Sequence, residues 1–467
     1  MFDNPFNKSV TVLDGRVTVH DESAIASPAM DKLAYTAVFG EPEARDDARW
    51  LIWEIGQAVG VQAWSIHDLY LARGRGETGG FTVPAMNIRG MVYDTACSLF
   101  RAAVKLKVGA LIVEIARSEI AYTDQRPSEY VAVMLAAAMR EGFRGPLFIQ
   151  GDHFQVSAKK FAVDPVTEVN GVKQLAHEAI AAGFYNIDVD TSTLVDLSKP
   201  TLKEQQRTNY EQAVELALTV RQLQPEGVTI SIGGEIGEVG TQNSTVEELE
   251  TYMDGFNETL MKRSPGTEGL SKISVQSGTT HGGVVLADGS IADVKIDFDT
   301  LARLSKVARE KYGLAGAVQH GASTLPDSSF HNFPRTETAE IHLATNFQTM
   351  LYDNIPEALR NEIYEWLRQN AKDERKPNDT DEQFFYKTRK KALGPFKRRF
   401  WDLPSDLKAK LAGAYEKKFS FLFTQLAVVN TRDVVDRFVK PVAQHKQQPH
   451  PDLAVVEAAP DDADLSD

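Results

Sequence analysis

The stretch LFIQGDH at residues 147–153 is an apolar run of strand length that ends in polar residues. Seven further runs of this kind occur along the chain, and longer stretches with helical spacing of apolar residues follow most of them. Short apolar runs that alternate with helices predict a buried parallel sheet. Eight such units close into a barrel, so we predict an α/β protein with a (β/α)8 TIM-barrel fold. The predicted strands are Phe81–Asn87, Ala110–Ile115, Leu147–Gly151, Phe184–Val189, Val228–Gly233, Lys272–Ser277, Ala315–His320 and Glu340–Ala344.

This pattern divides the chain into four predicted parts. The barrel is expected to span residues 50–353 and to begin with a helical stretch from Trp50 to Arg75 that breaks near Gly60. Residues 1–49 are polar with weak periodicity, and we interpret them as an N-terminal appendage. For residues 354–442, the sequence pattern predicts a helical C-terminal extension. Residues 443–467 are rich in Pro, Ala and Asp, and we expect a disordered tail.

Composition and charge limit the classes of partner. The 467 residues carry a net charge of −14, and an acidic surface disfavours nucleic acid and anionic lipid as partners. The sequence lacks an apolar run of membrane-spanning length and the pattern of a signal peptide. The single cysteine, Cys97, cannot form an internal disulfide and fits a reducing compartment. We therefore expect a cytoplasmic protein that binds a small molecule.

Histidines stand at the ends of four predicted strands. They are His153, His281, His320 and His342, after strands three, six, seven and eight. Catalytic groups of such barrels lie at the C-terminal ends of the strands, where three imidazoles would bind a divalent metal and leave a position open for substrate. We predict Zn²⁺ as the first choice, with a monovalent cation as an additional cofactor. Because Lys272 begins its strand and no lysine ends one, a Schiff-base mechanism is disfavoured.

The predicted loop after strand seven contains small residues that suit an anion. Gly321, Ala322 and Ser323 would let backbone N–H groups approach a phosphate, which barrels often bind after strands seven and eight. The same residues are also compatible with an ordinary turn.

Six motifs taken together resemble the class II fructose-bisphosphate and tagatose-bisphosphate aldolase family, over residues 60–350. The motifs are FTVPAMN (81–87), GDH (151–153), NID (186–188), GEIG (234–237), GTTHG (278–282) and HGAS (320–323). Each motif by itself is unspecific, but the set occurs in the family's order and at the predicted strand ends.

The resemblance implies a lyase that reversibly cleaves a ketose phosphate or bisphosphate through a metal-stabilised enediolate. It implies that His153, His281 and His320 bind the metal and that Asp152 moves the proton of the substrate hydroxyl. A sugar phosphate would be the partner, and a homodimer or larger homo-oligomer is a further implication. Segments that would contact the substrate and its phosphate contain Asn87, Gly282, Gly321, Ala322, Ser323 and Thr345.

The carboxylates of Asp188 and Glu235 each have two possible roles. Asp188 and Glu235 match carboxylates that hold a second or displaced metal position in some members of the family. As the alternative, both are buried salt-bridge partners.

The sequence departs from the family pattern around the expected substrate. His342 stands where the family has asparagine, and Arg117 follows strand two where the family has Ser-x-Gly. His342 is a candidate substrate contact, while Arg117 is a candidate anion partner or, equally, a surface residue. These changes indicate an altered substrate. Two alternatives stay open: a non-catalytic aldolase-like partner or regulatory subunit, and a metal-dependent sugar-phosphate isomerase or epimerase.

Overall fold

The computed structural model describes residues 4–236, 242–278, 286 and 296–450. The strands are β1 (Val10–Leu13), β2 (Arg16–Val19), β3 (Val61–Trp64), β4 (Val83–Asn87), β5 (Ile112–Ala116), β6 (Gly145–Gln155), β7 (Asn186–Asp190), β8 (Ser231–Glu235), β9 (Lys272–Val275), β10 (Ala317–Gln319) and β11 (Glu340–Leu343). The helices are α1 (Pro28–Phe39), α2 (Pro42–Val59), α3 (His67–Gly74), α4 (Val92–Lys105), α5 (Arg117–Tyr122), α6 (Pro127–Arg140), α7 (Ala158–Val163), α8 (Pro165–Ala182), α9 (Leu202–Leu223), α10 (Val246–Arg263), α11 (Phe298–Tyr312), α12 (Asn332–Arg335), α13 (Thr345–Asn354), α14 (Glu357–Asn370), α15 (Asp381–Thr388), α16 (Lys397–Trp401), α17 (Ser405–Gln425) and α18 (Arg432–Phe438).

Eight parallel strands close into a barrel. They follow one another from β4 to β11 in chain order, and β11 pairs again with β4. β4, β5, β7 and β8 are buried along their whole length, as strands between a filled interior and an outer layer of helices must be. The predicted (β/α)8 barrel is confirmed, and each of its strands overlaps the apolar run that predicted it.

The predicted helix from Trp50 to Arg75 is wrong in its extent. α2 begins earlier, at Pro42, because the fixed φ of proline suits the first helical turn. It ends before Gly60, which has a φ of +73° and closes the helix in the left-handed conformation. β3 then pairs with the first half of β6, outside the ring of eight strands. Four residues are too few to show an alternating pattern, so the sequence did not separate β3 from the helices.

The regions before and after the barrel pack against its helices. α1 lies on α2 and α6, and the β1–β2 hairpin packs on α2. α17 packs along α4, and the 3-10 helix Arg389–Ala392 contacts α5 at the mouth of the barrel. The division of the chain at residues 50, 354 and 443 stays a proposal. Within the described ranges, every helix is too short or too polar to cross a lipid bilayer.

Residues 440–450 form a segment without regular secondary structure along α2, here called the C-terminal strap. Trp50 Nε1 donates to the backbone oxygen of Lys446 at 2.9 Å, and Trp53 Nε1 donates to that of Gln444 at 2.5 Å. Lys446 Nζ lies 3.7 Å from the centre of a Trp53 ring. Residues 443–450 of the predicted tail are therefore bound to α2, and residues 451–467 lie outside the described residues.

Candidate active site

The carboxyl ends of the barrel strands surround a cavity of about 1020 Å³. Side chains from the ends of β4, β5, β6, β10 and β11 reach it, together with Tyr386 and Lys390 from the C-terminal helical region. A cleft at this end is where (β/α)8 barrels bind their ligands. The lining includes Asn87, Arg89, Asp152, His153, His320 and His342.

A β-bulge in β6 turns two consecutive side chains toward this cavity. Gly151 and Phe154 both pair with β7, but β7 has one residue where β6 has two between these positions. Within the bulge, His153 has a φ of +43°, in the left-handed region that non-glycine residues rarely adopt. In a regular strand Asp152 and His153 would point to opposite faces, whereas the bulge allows both to line the cavity.

Asp152 is the centre of a cluster of imidazoles. Its Oδ1 lies 3.2 Å from Nδ1 of His342, 3.5 Å from Nε2 of His320 and 3.7 Å from Nε2 of His153. Ring centroids are 4.2 Å apart for His153 and His320, and 4.0 Å apart for His320 and His342. The structure therefore brings Asp152, His153 and His320 together and places His342 among them.

Glu235 and Asp190 lie on the other side of His153. Its Nδ1 is 2.9 Å from Oε1 of Glu235 and 2.9 Å from Oδ2 of Asp190. A carboxylate that accepts from one imidazole nitrogen orients the ring and leaves the other nitrogen for a metal. Asp190 was not among the predicted site residues, although a carboxylate at the last position of a barrel strand is the signal that would have indicated it.

Burial and mutual proximity shift the ionisation of this cluster. Burial raises the pKa of Glu235 to about 7, and the nearby Asp190 adds to the effect. Burial also opposes ionisation of Asp152, but His153 and His342 outweigh it and hold the pKa of Asp152 well below its ordinary value. Burial lowers the pKa of His153, yet Glu235 and Asp152 raise it well above its ordinary value. Positive charge on His153 and His342 therefore balances the charge of Asp152, and a bound metal ion would supply positive charge at the same place.

The donor set fits a divalent metal, because imidazole nitrogens and carboxylate oxygens are the usual ligands of zinc. Burial lowers the pKa of His320 well below its ordinary value, with His342 and His153 adding to the shift, so this ring is neutral, whereas His153 would release a proton on binding a metal. Two predicted residues, His281 and Gly282, lie outside the described residues. Ligand atoms lie within 4.8 Å of one another in two groups that contain His320: His153, Glu235 and His320; and Asp152, Asp188, His320 and His342.

Below this cluster the barrel interior contains four charged groups around His342, here called the charged layer. Of these four, only Asp188 was predicted from the sequence, as a possible buried salt-bridge partner. Lys272 Nζ lies 2.9 Å from Oδ1 of Asp188 and 2.6 Å from Oε1 of Glu340. Oε1 of Glu340 lies 2.8 Å from Nε2 of His342, and Oε1 of Glu114 lies 3.1 Å from its Nδ1. Asp188 thus forms a buried salt bridge. Lys272 is not one of the described residues that line the cavity. Its amine therefore faces the carboxylates inside the barrel and not the cavity.

Asn87 is held at the wall of the cavity by an ion pair. Its Nδ2 donates to Glu119, and its Oδ1 accepts from Nε of Arg89 at 3.2 Å. Arg89 also pairs with Glu119, so the three side chains form a closed set. This arrangement orients the predicted substrate contact Asn87. Arg89 and Glu119 were not among the residues predicted from the sequence.

Arg117 lines the cavity but already has partners. It pairs with Glu168 at 2.7 Å and donates to the backbone oxygen of Gln155 at 2.6 Å. These contacts join α5 to β6 and α8, so the positive charge of Arg117 is largely balanced within the protein.

The loop after β10 is tied to the start of α13. Gly321 has a φ of +69° and precedes the 3-10 helix Ala322–Thr324. Oγ of Ser323 accepts from the backbone N–H of Ala344 at 2.6 Å and of Thr345 at 3.3 Å. Gly321, Ser323 and Thr345 therefore share one wall of the cavity. The hydroxyl proton of Ser323 is one donor that this loop can offer to an anion.

The fold and the cluster define a (β/α)8 barrel with a candidate metal site at the end where such barrels place their chemistry. The model of the family described as fructose-bisphosphate aldolase class-II matches residues 74–397, which include all of the cluster described above. The chain therefore belongs to the class II fructose-bisphosphate aldolase family, whose members depend on a metal. Among curated proteins, none matches the sequence.

Solved structures resemble this chain at low sequence identity. The fructuronate-tagaturonate epimerase of Cohnella laeviribosi is 12% identical with a TM-score of 0.51, over 75% of this chain and 82% of that chain. The fructose-bisphosphate aldolase of Campylobacter jejuni is 16% identical with a TM-score of 0.48, over 79% and 97%. The YdjI aldolase of Escherichia coli K12 is 12% identical with a TM-score of 0.47, over 78% and 98%. At these identities the similarity concerns the fold alone.

Proposed function

We propose that this protein is a class II aldolase that reversibly cleaves a ketose phosphate or bisphosphate into a ketone and an aldehyde. The position of Asp152 carries the proposal, since its carboxylate lies among the imidazoles of His153, His320 and His342 on the wall of the cavity. A carboxylate beside imidazoles that fit a metal is the arrangement that an aldol reaction uses for proton transfer. A regulatory subunit would have no need of it.

The metal in this proposal is Zn²⁺, held by His153, His320 and, from outside the described residues, His281. A bound divalent ion supplies a Lewis acid for the carbonyl group of the substrate. Glu235 is assigned to a displaced position of the ion, because its Oε1 lies 2.9 Å from Nδ1 of His153 and 3.9 Å from Nε2 of His320. Asp188 is engaged by Lys272, so we assign it to the charged layer.

Asp152 takes the proton from the hydroxyl group of the carbon whose C–C bond breaks, and returns it in the direction of synthesis. Its carboxylate is ionised, because neighbouring positive charge holds its pKa well below its ordinary value, and a bound metal ion would supply such charge when His153 is a neutral ligand. Asn87, held by Arg89 and Glu119, contacts a substrate hydroxyl group. A phosphate group binds at the loop of Gly321, where backbone N–H groups and the hydroxyl group of Ser323 provide donors.

The proposal is tested with protein purified without chelators and assayed on a panel of ketose monophosphates and bisphosphates. We expect bound metal, cleavage of at least one member of the panel, loss of cleavage after chelation and recovery with Zn²⁺. Protein without metal, or with metal and without any reaction, would contradict the proposal. Interconversion of ketose phosphates without cleavage would instead identify a metal-dependent isomerase or epimerase.

Asp152→Asn separates proton transfer from metal binding. The variant should retain its metal and lose turnover by about 100-fold or more, which is the usual contribution of a general acid or base. Asp14→Asn, in the exposed turn between β1 and β2, is the matched control and should change neither property. If Asp152→Asn loses metal and activity together, Asp152 is a ligand and the assigned role is refuted.

A further inference from the structure

The ammonium group of Lys272 sits in an oxygen shell inside the barrel. The side chain is 1% exposed. Its Nζ lies 2.9 and 3.2 Å from the two carboxylate oxygens of Asp188, 2.6 Å from Oε1 of Glu340 and 2.7 Å from Oε1 of Gln150. Carboxylate and amide oxygens that converge in this way are also the ligands with which proteins hold hard metal cations.

The backbone of β8 makes room for this ammonium group. Asp188, Gly233 and Lys272 are direct neighbours across β7, β8 and β9. A Cβ atom on Gly233 would lie 2.2 Å from Oδ1 of Asp188 and 2.8 Å from Cε of Lys272. The second carboxylate oxygen of Glu340 accepts from the hydroxyl group of Tyr70. The surrounding residues therefore fix the position of the ammonium group from several sides. Its contacts are not those of a flexible side chain that meets these groups by chance.

Removal of the ammonium group would leave Asp188 and Glu340 without their main positive partner. Buried carboxylates in that situation either take up protons or bind another cation. The donors for a metal are already in place, because three of the four oxygen atoms around the ammonium group belong to the carboxylates of Asp188 and Glu340. The two groups at the mouth of the barrel share His320, and we assign them to a single ion.

We propose that Lys272 is a built-in cation: it occupies the place of a second divalent ion and restricts the chain to one divalent ion, at the mouth of the barrel. Lys272 is thus a positioning residue, which acts on the metal cluster through Asp188 and through Glu340 and His342. The expectation of a single ion at the mouth of the barrel rests on the proposed function. The expectation that removal of Lys272 creates a second metal site does not rest on it.

The test measures Mn²⁺ bound by the full chain after chelator treatment, by equilibrium dialysis and elemental analysis. Wild type and Lys272→Arg should bind one Mn²⁺ per chain, because arginine keeps the charge. Lys272→Ala should bind two, and its melting temperature should rise with Mn²⁺ by more than that of wild type. Lys272→Ala/Glu340→Gln should return to one, because it lacks a carboxylate of the new site.

The outcomes separate this inference from the proposed function. If Lys272→Ala binds the same number of ions as wild type, the inference is overturned. If wild type binds none and Lys272→Ala binds one, the metal centre at the mouth is refuted while the inference stands. If Lys272→Ala folds only when Mn²⁺ is present, the inference is supported. If neither Lys272→Ala nor Lys272→Gln folds with Mn²⁺, a metal does not replace the ammonium group and the inference fails.

Discussion

Gly151 is the residue on which the bulge in β6 depends. A Cβ atom there would lie 2.5 Å from two ring carbons of Phe154, which is fully buried. Non-bonded carbon atoms normally stay about 3.5 to 4.0 Å apart, so Gly151→Ala forces a shift of roughly 1 Å in the ring or in the backbone. Asp152 and His153 lie between these two residues, and any such shift moves them relative to the rest of the cluster.

The cost of this substitution follows from the packing. Overpacking of a filled core costs about 1–3 kcal/mol, and displacement of a ligand's support lowers metal affinity by roughly 10-fold or more. We expect Gly151→Ala to unfold at a lower urea concentration than wild type and to bind Zn²⁺ more weakly. Unfolding is followed by circular dichroism, and affinity is measured by calorimetry on chelator-treated protein.

Gly413→Ala is the matched control, since a Cβ atom at this exposed position of α17 would meet nothing within 4 Å. Alanine is favoured over glycine inside a helix by about 1 kcal/mol, so this variant should become slightly more stable and keep its metal affinity. Unchanged stability and unchanged Zn²⁺ affinity in Gly151→Ala would refute the role of the bulge. A stability loss without any change in affinity would refute the link between the bulge and the metal cluster.

Two further predictions concern contacts of single side chains. Asp190→Asn should lower metal affinity by about 10- to 100-fold with little loss of fold, because Asp190 orients His153 through Nδ1; equal affinity in calorimetry would show that Asp190 does not support the metal. Burial lowers the pKa of Lys446 from 10.5 to about 8, and Glu54 opposes the shift in part. The unfolded chain therefore binds more protons between these values, so wild type should gain stability relative to Lys446→Met as pH rises from 8 to 10.5. A pH-independent difference in melting temperature between the two proteins would contradict this assignment.

Much of the candidate site was accessible from the sequence because each residue stands at the end of an apolar run. Asp152, His153 and His320 were predicted in this way, and the structure places them around one point. His342 was predicted as a substrate contact, and the structure shows it between the cluster and the charged layer as well. The charged layer was missed because Lys272 begins its strand, and position along a strand does not show where a long side chain ends.

The sequence by itself determined the barrel, the order of its strands and the family, since strand periodicity and short motifs are local properties of the chain. Only the tertiary structure decided which side chains meet. The bulge beside Gly151 depends on the pairing of β6 with β7, and it alone turns Asp152 and His153 to the same side. The contact of Lys272 with Asp188 depends on the register of three strands and on the missing side chain of Gly233. Such contacts join residues far apart in sequence, and no local pattern carries that information.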